Sequence, residues 1–180
     1  MKAQAVCATL CLLTLTGCTH VGIFEPFREV SCLDRATVSL KDAISAAEAS
    51  GGRALDADFR EDEELGCIRG NAGFFDVTLL TAGKISTVAV NADSRVVASR
   101  EAQGVMDALF GGGTRFQGSA ADMARIAPRL SLDMIQAIDI AERQGAKVMS
   151  AWIDEKDGKP GYVVKLVAGG KVRELWVDGV

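Results

Sequence analysis

The sequence predicts an α+β fold made of two repeats, each a helix packed on a small antiparallel β-sheet. Three observations carry that prediction. Residues 43–51 read AISAAEASG and residues 137–145 read AIDIAERQG, with Ala, Ile, Ala, Glu and Gly at equal positions. Residues 83–91 read GKISTVAVN and residues 170–178 read GKVRELWVD, a second matched pair farther along. Within each copy a helical apolar period gives way to strand alternation.

The first element lies before either copy. Lys2 is followed by an uncharged apolar run over residues 3–15, AQAVCATLCLLTL. A membrane-spanning helix needs about 20 apolar residues, so this run suits the core of a secretory signal instead. It ends in Leu15-Thr16-Gly17-Cys18. That order of small residues before a Cys resembles the bacterial lipoprotein signal. The resemblance implies cleavage before Cys18 and acylation of its thiol. Residues 1–17 are then a signal peptide, and residues 18–36 a lipidated tether that holds His20 and Pro26. Thr19 stands where Asp would mark retention at the inner membrane. On the same resemblance, the address is the periplasmic face of the outer membrane.

Of five cysteines, Cys7 and Cys11 fall in the signal and Cys18 carries lipid. Cys32 and Cys67 remain. An even remainder in an oxidising compartment reads as one disulfide, and two buried free thiols are the other reading.

The first repeat spans residues 37–99. Ser39 suits a helix N-cap, with Asp42 near the positive end of the dipole. Leu40, Ala43, Ile44 and Ala47 form an apolar stripe, and Gly51-Gly52 stops the helix. The copy carries seven extra residues near DFREDEELGCIRG, and the acidic run of Asp56, Asp58, Glu61, Asp62, Glu63 and Glu64 reads as a solvated loop rather than a metal site. A turn at Ala82-Gly83 then pairs Phe75 with Val90 and Val77 with Val88 on one face. Asp76 with Ala89 and Thr78 with Thr87 fall on the other.

Residues 100–129 read as a linker with short helices. Gly111-Gly112-Gly113 lacks the ending of a phosphate loop and reads as a joint. The second repeat spans residues 130–180. Asp133 caps a helix whose stripe is Met134, Ala137, Ile138 and Ala141, ended by Gly145. Gly169-Gly170 turns a hairpin. It pairs Val167 with Val172, Lys165 with Glu174 and Val163 with Trp176. Tyr162 with Val177 and Val164 with Leu175 share the opposite face.

The faces follow from comparing the copies. The Phe75/Tyr162 face is apolar in both and should meet the helix. The opposite face is polar in the first copy but carries Val163, Val167, Val172 and Trp176 in the second. Such surface requires cover, from the 100–129 segment, or a partner. Trp176, Val163 and Val172 are therefore the candidate partner-binding residues.

The order of helix with A-I-x-x-A, Gly stop, aromatic-led strand, G-K turn and strand ending V-N or V-D resembles the PepSY domain. That domain occurs in propeptides of thermolysin-like proteases and in bacterial envelope proteins. The resemblance implies the same α+β fold and a role in holding or restraining a protease. Asn91 stands where the family favours Asp.

Composition narrows the function further. The net charge is -4, with no basic field for phosphates, so nucleic acid is not an expected partner. One His and no nucleophile–base pattern argue against an enzyme, and no cofactor or metal ligand set is expected. The expectation is a lipid-anchored cell-envelope binding module that restrains or inhibits a periplasmic protease or another protein. The alternative is a structural or stress-related envelope accessory protein without catalytic activity.

Overall fold

The computed structural model describes residues 25–62, 67, 71–100 and 120–180. The signal peptide, Cys18, His20, Glu63, Glu64 and the Gly111 to Gly113 run lie outside these residues. In chain order the elements are α1 (Glu25–Arg35), α2 (Leu40–Glu48), β1 (Arg53–Arg60), β2 (Phe74–Thr81), β3 (Lys84–Asn91) and β4 (Val97–Arg100). They continue with α3 (Ala120–Ile126), a 3-10 turn (Ala127–Arg129), α4 (Met134–Glu142), β5 (Lys147–Lys156), β6 (Lys159–Ala168) and β7 (Lys171–Asp178).

The expectation of two repeats, each with its own small sheet, is corrected. All strands among the described residues join one seven-stranded sheet in the order β4-β3-β2-β1-β5-β6-β7, and every pairing is antiparallel. The physical reason is edge pairing. A separate sheet led by β1 or by β5 leaves a bare row of N–H and C=O groups on that strand. Here the two strands satisfy each other at the centre of the sheet.

Local chemistry sets both long-stripe helices. Ser39 Oγ accepts from the Asp42 N–H, and the Asp42 carboxylate accepts from the Ser39 N–H. Asp133 and Gln136 repeat this capping box at α4, at 2.7 and 2.9 Å. Each box satisfies two backbone donors that a helix start leaves open. The buried stripes are Leu40, Ala43, Ile44 and Ala47 in α2, and Met134, Ala137, Ile138 and Ala141 in α4. They cover one sheet face, where Phe59, Phe75, Val77, Tyr162 and Val164 are fully buried. Phe59 and Phe75 meet edge to face at 5.3 Å.

Hairpin chemistry sets the register. Ala82-Gly83, Asp157-Gly158 and Gly169-Gly170 all take positive φ at both residues, the geometry that matches strand twist. The pairs Val167–Val172, Lys165–Glu174 and Val163–Trp176 lie directly opposite one another, as do Phe75–Val90 and Val77–Val88.

Two stretches differ from their sequence reading. Residues 25–35, within the expected tether, form α1, with Pro26 in the first turn, where no intrahelical donor is lost. Val30, Cys32 and Leu33 of α1 are buried. Asp56 and Asp58, read as part of a solvated loop, lie in the central strand β1. Cys32 and Cys67 form a disulfide with a Cα–Cα distance of 5.1 Å, tying α1 to the segment after β1.

Candidate functional site

The face of the sheet away from α2 and α4 gathers polar side chains and both tryptophans. Successive side chains alternate between faces, and directly opposed residues share one. One row across five of the strands holds Asp76, Asp58, Ser150, Lys165 and Glu174 in register. The next row holds Thr87, Thr78, Asp56, Trp152, Val163 and Trp176. Polar and apolar halves therefore meet at Asp56.

Asp56 is 5% exposed, between Thr78 and Trp152. Burial pushes its carboxyl well above the usual carboxylate range, and Asp58 and Asp76 push it the same way. Lys165 acts in the opposite direction but does not offset them. The site thus favours Asp56 as the neutral acid. Thr78 and Thr87 share a hydroxyl hydrogen bond at 3.3 Å. The Ser150 hydroxyl is buried and has no hydrogen-bond partner among the described residues. Lys165 Nζ lies 5.0 Å from the Trp152 ring centroid and 3.8 Å from Glu174 Oε1.

The three predicted contact residues fall on this face. Val163 stands directly between Trp152 and Trp176. Trp176 lies against Gly161: a Cβ added there would sit 2.5 Å from Trp176 Cζ2 and 2.5 Å from the Val177 carbonyl oxygen. Glycine is required at that position because the indole occupies the space of a side chain. Val172 is 41% exposed, while its partner Val167 is buried. The structure brings Val163 and Trp176 together and places Val172 farther along the edge strand.

The described members of the acidic run do not act as one cluster. Glu61 pairs with Arg28 at 3.0 Å, and Asp62 accepts from Asn71 at 3.2 Å. Among the described residues, no group of three His, Cys, Asp or Glu is placed to hold a metal ion. Among the same residues, no helix is long and apolar enough to cross a membrane.

Sequence reasoning missed Asp56, Asp58, Ser150 and Trp152 as one surface. The available signal was the alternation of RALDADFR and KVMSAWIDEK, each of which sends polar side chains to one side.

No family model matches this chain, including any for the PepSY domain, and no curated protein matches it in sequence. Among solved structures, one similar chain is a protein of Clostridium difficile 630 with a provisional lipoprotein label. It shares 16% identity at a TM-score of 0.40, over 80% of this chain and 88% of that chain.

Proposed function

We propose that this chain is a lipid-anchored binding module of the bacterial cell envelope that holds a protein partner on the outer face of its sheet. Cys18 carries the lipid, the membrane is the inner leaflet of the outer membrane, and the module does no chemistry of its own. A protease restrained by the module is the partner class that the PepSY resemblance suggests.

The observation that carries this reading is the row of Trp152, Val163 and Trp176, with Val172 exposed farther along the same face of the edge strand. Aromatic residues, Trp above all, are enriched at interface centres and among binding hot spots. The disulfide supports an oxidising compartment. The lipoprotein-like order Leu15-Thr16-Gly17-Cys18 supports the anchor.

The test is recovery of partners from solubilised envelopes with tagged full-length chain. Wild type is expected to bring down one recurring envelope protein, and Val172→Glu to lose it. The same protein set with both forms contradicts the reading.

A further inference from the structure

The two central strands are joined by the shortest ladder in the sheet. β1 and β5 share three register pairs: Asp56–Trp152, Ala57–Ala151 and Asp58–Ser150. The flanking ladders are far longer, with seven pairs between β1 and β2 and nine between β5 and β6. Both central strands also bulge, between Ala54 and Asp56 and between Val148 and Ser150. Each bulge breaks regular pairing beside the short ladder.

The side chains along this join are poor glue. On the helix-covered face the join holds Ala57 and Ala151, which bury little area. On the outer face it holds a buried carboxyl, Asp56, and a buried hydroxyl, Ser150, with no partner among the described residues. Both are groups whose burial is unfavourable.

We propose that the β1–β5 pairing is a seam that opens as a unit, with Asp56 as its pH-sensitive latch. While Asp56 holds its proton, the seam buries a neutral acid. When the proton leaves, the closed seam must hold an anion in a dry site, and the open form becomes favoured. Among the described residues, the charged groups facing Asp56 are Asp58 on β1, Asp76 on β2 and Lys165 on β6. Glu174 on β7 engages Lys165. Two carboxylates close to Asp56 oppose its ionisation and one ammonium favours it. Opening frees Asp56 and Ser150 to water and bares the edges of β1 and β5, with Trp152 on one of them.

The size of the effect follows from proton linkage. Between the open-state pKa, about 4, and the higher closed-state value, each pH unit multiplies the opening constant about tenfold. Above the closed-state value the effect levels off.

The test is amide hydrogen exchange on the full chain between pH 5 and pH 8, corrected for intrinsic rates. The proposal expects protection of amides bonded across residues 56–58 and 150–152 to fall about tenfold per pH unit until Asp56 ionises in the closed form. Amides of β2–β3 and β6–β7 should keep their protection. Asp56→Asn should flatten the pH dependence at the seam. A disulfide from Asp58→Cys with Ser150→Cys should lock the seam and slow its exchange at every pH. Equal loss of protection throughout the sheet overturns the proposal, since the whole fold then opens. So does an unchanged pH slope in Asp56→Asn, or a lock that leaves seam exchange unaltered.

Discussion

Arg53 and Lys147 hold matching places at the starts of the two central strands, and each bonds into the other half of the molecule. Arg53 donates to the carbonyls of Ala127 and Leu132 at 2.8 and 3.0 Å, and to the Tyr162 hydroxyl at 3.3 Å. Lys147 donates to the carbonyls of Leu33 and Ala36. These carbonyls lie at the end of α1 and around the 3-10 turn before α4. The halves are therefore clasped reciprocally at both ends of a short central ladder. Lys41, bonded to Asp139 and Glu142 at 2.6 Å each, adds a clasp between α2 and α4.

Lys147→Met is expected to lower stability by about 1.5–3 kcal/mol, because a charged donor to two part-buried carbonyls is lost. In a chain of this size that is about 2–4 °C in Tm for each kcal/mol. Thermal unfolding followed by circular dichroism measures it. Arg53→Lys should fall short of wild type as well, since one ammonium cannot span the three acceptors that the guanidinium fork reaches. An unchanged Tm in both variants means that the clasps contribute nothing.

Asp56→Asn is expected to stabilise the fold at neutral pH. The folded state raises the pKa of Asp56, so it holds a proton that the unfolded chain has released above about pH 4. Stability from this group is thus fullest below the unfolded value and declines by about 1.4 kcal/mol per pH unit as pH rises towards the folded one. The advantage of Asn should grow over that range and vanish near pH 4. Urea unfolding at several pH values reads it, and a pH-independent difference between the two proteins contradicts it.

The disulfide ties α1 to the segment after β1, so Cys32→Ser with Cys67→Ser should lower stability by about 3–4 kcal/mol. Intact mass of the mature protein, after alkylation without reductant, should show no modified thiol at either residue. Full alkylation of both would remove the bond from the account.

Gly161→Ala should displace the Trp176 indole and destabilise the fold by about 1–3 kcal/mol. In a Trp152→Phe background, the emission of the remaining Trp should shift to the red. Unchanged emission and stability would mean that the ring does not depend on the missing side chain.

Much of this was legible in the sequence at short range. The caps at Ser39 and Asp133, both apolar stripes and the hairpin at Gly169-Gly170 all lie where local chemistry places them. Long range was harder. Nothing in RALDADFR or KVMSAWIDEK announces a partner strand nearly a hundred residues away, because three register pairs leave little patterning. Asp56 and Asp58 read as loop because carboxylates are rare inside sheets, and here one is held as the buried acid. α1 was hidden by Pro26, which is as much a helix opener as a breaker. The candidate surface was half visible: Val163 and Trp176 followed from hairpin counting, whereas Trp152 and Asp56 required the central pairing.

The anchor has its own check. A clickable fatty acid fed to cells should label wild type and leave Cys18→Ser unlabelled. Equal labelling of the two would detach the module from the membrane.

The central claim is that the outer sheet face holds a protein partner, and photocrosslinking in living cells tests it most directly. A photoreactive residue at Val172, the exposed position on the same strand and face as Trp176, would be activated in intact cells. An adduct with one recurring envelope protein is expected, absent when Trp176→Ala is added. Adducts only with a second copy of this chain, or none above background, would contradict it.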